Sequence, residues 1–326
     1  MRLLKIVFVI VVLIAAATGG AYVWFNGATV APGPLQTPVT VIITPRTGLS
    51  AIARQLADAG VVAKPWMAVL QARRTGQDRA LKPGEYRFDP QVSLTDALAK
   101  IVKHDVVPRF VTIPEGLVMA DVRRILGEAE GLVGEIMSPV ADGDILPETY
   151  RYEWGDSRES VIGRMRAARD AAVQELWAGR QQYLPLNSPE DAVVLASIVE
   201  KETGLAAERP RVAAVFINRL RRGMRLQSDP TVTYGLALVG DNEGALTLAD
   251  LEQPTPFNTY VIPGLPPAPI CHPGRAALAA VLHPAESDEL YFVADGSGGH
   301  AFAATLDAHN RNVAQWRQIQ RQNHLR

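Results

Sequence analysis

Glu202, in the segment ASIVEKET at residues 196–203, is the side chain best suited to acid–base chemistry in this sequence. Counted from Val193 at about 100° per residue, the apolar residues of this segment fall on one side of a helix, and Glu202 falls near the centre of that side. Glu200 falls about 160° away, so the spacing predicts that it faces solvent. A carboxyl group on a packed face loses hydration, which raises its pKa. The sequence therefore indicates a general acid that works near neutral pH.

Two other interpretations of these acids stay open. Glu202 could be a buried carboxylate held by an arginine, because ERPR (208–211) and RLRR (219–222) follow closely. Glu200 is the alternative acid, since a bulge near the end of the helix would exchange the two faces.

Polar side chains that could line a groove follow the candidate acid, in segments rich in loop signals. They are hydrogen-bonding groups and tyrosines whose faces can stack on sugar rings, and loops commonly carry such sites. Each could also serve the backbone locally, for example as an Asx turn at Asn258. Together with a half-buried Glu they indicate a groove for a neutral polar polymer. The candidates are Asn218, Gln227, Ser228, Asp229, Thr231, Tyr234, Asn258, Thr259 and Tyr260.

Other chemistries have weaker signals. The histidines beyond the candidate acid form no HExxH pattern or close helical pair, so the sequence predicts no metal site. GSGG at 296–299 could cradle phosphate, but it does not fit a P-loop and lies in a predicted hairpin. The single Cys271 permits no internal disulfide and is expected to be a small buried or tolerated residue rather than a nucleophile. A net charge of −1 argues against nucleic acid, and RLRR is expected to be a solvated helix end.

The N-terminus predicts a membrane anchor. Residues 6–25 are uncharged and long enough to cross a bilayer as a helix. Arg2 and Lys5 precede this stretch and the next basic residue is Arg46, which predicts a cytoplasmic N-terminus. A cleaved signal peptide is the alternative, but the apolar residues continue past the small-residue sites. Both interpretations export the rest of the chain.

Hydrophobic periodicity predicts an α+β protein with two units after a Gly/Pro-rich linker at 26–38. The first unit, residues 39–105, reads as a strand, two helices, a strand and a third helix capped by Ser93. The second unit, residues 106–326, mixes helices with short strands. Strands are predicted at 39–44, within 81–88, and at 290–294 and 301–304, with a loop or short strand at 145–153. Helices are predicted at 49–60, 64–75, 94–102, 118–128, 158–183, from 189 through Glu202, and at 208–222 and 306–322. Residues 224–275 contain few helical runs.

Long motifs give the sequence a family resemblance. They are ASIVEKET (196–203), ERPRVAAVFINRLRRGMRLQSDPTVTYG (208–235), NTYVIPGLPPAPICHPG (258–274) and LYFVADGSGGHAF (290–302). With them the chain resembles the YceG-like endolytic murein transglycosylases over nearly its whole length. Residues 39–105 resemble a LysM-like fold, which binds wall glycans, although a plain spacer is the alternative.

The resemblance implies an activity and a catalytic residue. A single Glu of such enzymes, matched here by Glu202 of Lys-Glu-Thr, cleaves the MurNAc–GlcNAc bond within nascent peptidoglycan strands and leaves 1,6-anhydro-MurNAc ends. It implies no cofactor, and it implies cell-wall synthases as partners. The groove candidates carried over are Asn218, Gln227, Ser228, Asp229, Thr231, Tyr234, Asn258 and Tyr260. The alternatives are a hydrolytic muramidase and a non-catalytic glycan-binding scaffold.

The same resemblance implies an order of parts along the chain. Residues 1–5 are expected in the cytoplasm, 6–25 in the inner membrane, and 26–38 as a linker. Residues 39–105 and 106–326 are then expected in the periplasm as the LysM-like unit and the catalytic domain.

Overall fold

The computed structural model describes residues 2–240 and 245–324 and divides into two compact units. The first comprises the chain up to Arg109 with Glu130–Val133 and Arg151–Asp156. The second comprises Phe110–Ala129, Gly134–Tyr150 and the chain from Ser157 onward. The mixed α+β class predicted from the sequence is confirmed.

The N-terminal helix α1 (Arg2–Val30) is the only helix among the described residues that is long and apolar enough to cross a membrane. It continues five residues beyond the predicted span, so the prediction of a linker starting at residue 26 was wrong for residues 26–30. The helix ends just before Ala31, because the following Pro32 disfavours helical geometry at the residue that precedes it.

The rest of the first unit has the predicted order of elements. Strands β1 (Val39–Ile43) and β2 (Gly84–Phe88) pair in an antiparallel sheet, and the helices are α2 (Leu49–Asp58), α3 (Pro65–Arg74) and α4 (Leu94–Lys103). Ser93 caps α4 as predicted, since its side chain accepts a hydrogen bond from the backbone of Asp96 at 3.1 Å. The LysM-like character of this unit stays a prediction.

Helix α7 is at the centre of the core of the second unit. The unit contains α5 (Met119–Glu128), α6 (Arg158–Ala178), α7 (Pro189–Glu202), α8 (Arg209–Arg221) and α11 (Arg275–Leu282). Strands β3 (Arg109–Thr112) and β4 (Thr149–Tyr152) form a separate pair. Helix α6 is five residues shorter than predicted, because Gly179 caps its C-terminus. Every residue of α7 from Ala192 to Val199 is buried, so this helix packs on all sides.

Three helices were not predicted: α9 (Asp229–Leu238), α10 (Leu248–Glu252) and α11. Pro230 lies in the first turn of α9, where its missing N–H costs no hydrogen bond. A capping box between Thr247 and Asp250 starts α10. The predicted hairpin is confirmed as β5 (Tyr291–Ala294) and β6 (His300–Ala303), and α12 (Leu306–His324) closes the chain.

Candidate active site

Glu202 is the last residue of α7, where the buried helix meets an extended backbone at Thr203. The apolar body of the helix fixes this end in the core, while the carboxyl group reaches the edge of a pocket. Burial raises the pKa of Glu202, a hydrogen bond from Ser228 opposes the rise, and the charge of Asp229 adds to it, so that the pKa is about 7. Both protonation states are therefore accessible near neutral pH.

Ser228 occupies the N-cap position of α9 but does not cap that helix with its side chain. Its hydroxyl instead donates a hydrogen bond to Oε1 of Glu202. The Ser228 backbone is held in turn by Thr259, whose Oγ1 accepts its N–H at 2.9 Å, and by Thr231, whose hydroxyl donates to its carbonyl at 2.6 Å. Ser228 is 1% exposed, so it orients the carboxyl of Glu202 from the protein side.

A pocket of about 360 Å³ opens beside the carboxyl of Glu202. Its opposite wall comes from the turn between β5 and β6 and from Trp316 of α12. Gly296 and Gly298 have positive φ angles of 86° and 95°, a conformation that side chains rarely adopt. The three glycines of GSGG line this pocket, a role that their local sequence pattern does not predict.

Glu208 fastens this glycine-rich turn to the segment that follows α7. Its carboxylate accepts hydrogen bonds from the backbone N–H of His300 at 2.9 Å and from Nδ1 of the same residue at 2.7 Å. Burial opposes ionisation, but the bonds from His300 outweigh it and hold the pKa of Glu208 below its usual value. A Cβ at Gly299 would lie 2.6 Å from Oε1 of Glu208, so a larger residue there would displace the carboxylate that holds His300. His300 lines the pocket and was missed as a site residue, since no local motif joins it to Glu202.

Glu200 does not face solvent, and that prediction was wrong. Its side chain is 5% exposed and forms an ion pair with Nη2 of Arg209 at 3.1 Å. It also accepts the backbone N–H of Gly274 at 2.9 Å, and Glu115 lies 3.3 Å from the same arginine. Because α7 is packed on all sides, both acids point inward. The carboxylate held by an arginine of the ERPR segment is thus Glu200.

The arginine run at 219–222 is only partly a solvated helix end. Arg221 and Arg222 are exposed, but Arg219 is 7% exposed and was wrongly predicted to be solvated. Its guanidinium donates to the backbone carbonyls of Leu290 at 2.7 Å and Leu226 at 2.6 Å. Burial lowers the pKa of Arg219, and its charge favours the ionised form of Glu202.

The sequence profile of the YceG-like family matches residues 41–315, which is most of the chain and includes Glu202, Ser228 and the turn between β5 and β6. This chain belongs to the YceG-like family.

Relatives of this YceG-like chain carry a common name. An endolytic murein transglycosylase of Bacillus subtilis is 35% identical over 171 residues, which is 52% of this chain and 46% of the relative. One of Streptococcus pneumoniae is 28% identical over 284 residues, 72% of this chain and 50% of the relative. The chain thus spans about half the length of these relatives. A crystal structure of a YceG-like protein from Listeria monocytogenes has a TM-score of 0.51 at 27% identity, covering 85% of this chain and 99% of that one.

Three of the predicted groove residues lie near the carboxyl group in the YceG-like fold. Ser228 contacts it, and Asp229 and Tyr260 are close enough to influence its charge or be influenced by it. The hydroxyl of Tyr260 donates to Oδ1 of Asp229 at 2.5 Å, which ties the loop after α10 to the start of α9. Gln227 is exposed beside them, with a positive φ of 51°.

The other predicted residues hold loops in place. The amide of Asn218 donates to the carbonyl of Ser287 at 2.7 Å, and that of Asn258 to the carbonyl of Gln253 at 2.8 Å. The hydroxyl of Tyr234 donates to Asp142 at 2.6 Å. Contact of these side chains with a substrate stays a prediction.

Two further sequence expectations concern Cys271 and metals. Cys271 is buried and unpaired, as predicted. Within residues 2–240 and 245–324, no group of three or more His, Cys, Asp or Glu side chains could hold a metal ion.

Proposed function

We propose that this YceG-like protein is a lytic transglycosylase that cleaves MurNAc–GlcNAc bonds within peptidoglycan strands and leaves 1,6-anhydro-MurNAc ends. The observation that carries the proposal is the carboxyl group of Glu202, whose pKa of about 7 and position at a pocket suit a general acid. The name shared by the relatives, endolytic murein transglycosylase, supports the same substrate and reaction.

Glu202 acts first as an acid and then as a base. In its neutral form it donates a proton to the glycosidic oxygen. The bond from this oxygen to C1 of MurNAc breaks, positive charge develops at C1, and the GlcNAc side of the strand leaves with a hydroxyl group. The resulting carboxylate takes the proton of the C6 hydroxyl, and the C6 oxygen bonds to C1. The catalyst ends in its starting protonation state, and a group with a pKa near the working pH performs both steps efficiently.

One carboxyl group is sufficient for this reaction. Ordinary glycosidases use two, because water or the enzyme supplies the nucleophile. Here the nucleophile belongs to the sugar already bound, and intramolecular attack gains much of its rate from proximity. Excluding water from C1 favours the anhydro product over hydrolysis. The indole of Trp316, on the wall of the Glu202 pocket, supplies an apolar surface for a sugar ring.

The location that we propose follows from α1 and its flanking charges. This helix anchors the chain in the inner membrane, with Arg2 and Lys5 on the cytoplasmic side and both units in the periplasm. There the enzyme would meet nascent strands beside the cell-wall synthases and terminate their elongation.

Mass spectrometry of the cleaved ends tests the reaction. The full-length protein in detergent would digest purified glycan strands in water enriched in heavy oxygen. The proposal expects ends that are lighter than reducing ends by one water and carry no heavy oxygen. Labelled reducing ends would identify a hydrolytic muramidase, and intact strands with a folded protein would favour a non-catalytic glycan-binding scaffold.

A further inference from the structure

We propose that α3 of the first unit lies on the membrane surface, with Trp66, Leu70 and Arg74 in contact with lipids of the leaflet from which α1 emerges. The inference rests on the proposed membrane span of α1, and it concerns how the first unit meets the bilayer.

The burial pattern of α1 shows where this helix begins to contact the globular part of the first unit. All residues from Arg2 to Trp24 are exposed, whereas Phe25 and Thr29 are 7% and 1% exposed. A helix rises about 1.5 Å per residue, so the 20 residues from Ile6 to Phe25 match a hydrocarbon core of about 30 Å. Contacts between α1 and the globular part therefore begin at the level where the hydrocarbon ends.

Helix α3 lies at that same level. The ring centroids of Trp66 and Phe25 are 6.2 Å apart. The guanidinium carbon of Arg74 lies 5.2 Å from the ring centroid of Phe25 and 5.5 Å from that of Tyr22. These distances are about one helical turn or less, so both ends of α3 are within reach of the interface.

The outward face of α3 has a composition suited to lipids. Trp66, Leu70 and Arg74 are spaced by four residues and share one face of the helix. Trp66 is 52% exposed and Leu70 is 46% exposed, although both are large and apolar. Tryptophan concentrates at membrane interfaces, and arginine can bury its stem while its guanidinium binds lipid phosphates. The sequence of α3, PWMAVLQARR, contains no acidic residue that would repel those phosphates.

A rigid connection keeps this face at the bilayer. The hydroxyl of Thr95 on α4 donates to the carbonyl of Thr29 at 3.1 Å. After α1, the N–H of Gly33 donates to the carbonyl of Gln91 at 3.2 Å, and the N–H of Gln91 donates to the carbonyl of Leu35 at 2.9 Å. The segment that follows α1 is therefore docked on the unit. Because the exposed face continues directly from α1, whose own surface requires lipid, the bilayer is its occupant.

Fluorescence quenching by labelled lipids tests the contact. Cys271 is the single cysteine and is fully buried, so an introduced cysteine takes the label. The full-length chain with Leu70→Cys would carry an environment-sensitive dye in vesicles that contain a lipid with a nitroxide near the glycerol end of its acyl chain. Val23→Cys, within the span, is the positive control. Lys103→Cys is the negative control, because Lys103 is exposed and lies about 12 Å further along α4 than Thr95.

The inference predicts strong quenching at position 70, comparable with position 23, and little at position 103. Quenching at position 23 but not at position 70 would overturn it. A dye at position 70 that is shielded from water without being quenched would mean that a second copy of the chain covers α3, which also overturns it. Absence of quenching at position 23 would contradict the membrane span of α1 itself and with it this inference, whereas the proposed reaction would be unaffected.

Discussion

Ser228 donates its hydroxyl hydrogen to Oε1 of Glu202, so the N-cap residue of α9 contacts the last residue of α7. The bond favours the ionised carboxylate, whereas burial of Glu202 favours the neutral acid. The balance between this hydrogen bond and burial determines the protonation state of Glu202 before the substrate binds.

Removing this hydroxyl with Ser228→Ala should raise the pKa of Glu202 above its value of about 7. The pH optimum of anhydro-end formation should move upward. The rate at neutral pH should fall about tenfold, because Glu202 with a higher pKa is a weaker acid that protonates the glycosidic oxygen less readily and because Ser228 no longer orients its carboxyl group. The measurement is the pH profile of kcat/KM.

Thr231→Val is the matched control for that variant. It removes a hydroxyl from the same buried network, since Thr231 bonds to Ser228 and Thr259 but not to Glu202. The control should lose stability and keep the pH optimum of the wild type. An equal shift of the optimum in both variants would refute a specific role for Ser228.

Glu202→Gln should stabilise the protein at alkaline pH. The pKa of Glu202 is raised from 4.5 to about 7 by folding, so the folded state binds the proton more tightly. The resulting stability is present below pH 4.5 and is lost as pH rises to about 7, by at most about 3 kcal/mol. Glutamine does not titrate and has no such loss. The free energy of unfolding of the variant minus that of wild type, measured in urea, should therefore be larger at pH 8 than at pH 5. An unchanged difference between the two pH values would contradict a raised pKa.

Glu200→Gln should act on stability. It leaves the buried guanidinium of Arg209 without its closest counter-ion, and breaking a buried pair costs about 3–5 kcal/mol. Glu115→Gln is the control, because its side chain is 41% exposed and should cost much less. Urea unfolding measures both. A Glu200 variant of unchanged stability that forms no anhydro ends would assign the chemistry to Glu200.

Trp316→Ala should weaken substrate binding. Loss of the aromatic wall of the pocket should raise KM about tenfold, which corresponds to about 1.4 kcal/mol, and change kcat less. Gln315→Ala, at the exposed neighbouring position, should leave both constants unchanged. Equal KM values for wild type and Trp316→Ala would show that the indole does not contribute to substrate binding.

Local patterns predicted much of this fold because they depend on neighbours in sequence. Ser93 was placed correctly as a cap, since capping involves residues only a few positions apart. Helix α9 was missed because Pro230 suits both a turn and a first helical turn, and only packing of Val232 and Leu236 into the core distinguishes them.

The candidate site was predictable only in part. The helical face of Glu202 was identified, but the face of Glu200 was not, because periodicity assumes one packed side and α7 has no free side. Nothing local links Glu202 to Ser228, which is 26 residues away, or to the turn at GSGG, which reaches the pocket through the pairing of β5 with β6. These contacts depend on tertiary structure.

The most direct test of the account compares anhydro-end formation by wild type, Glu202→Gln and Glu200→Gln, each folded and assayed below its unfolding transition. Mass spectrometry of glycan strands gives the rates. The account predicts that Glu202→Gln loses at least about 10²-fold in rate, the typical contribution of general acid–base catalysis, while Glu200→Gln retains most of its activity. Near-normal formation of anhydro ends by Glu202→Gln would contradict it.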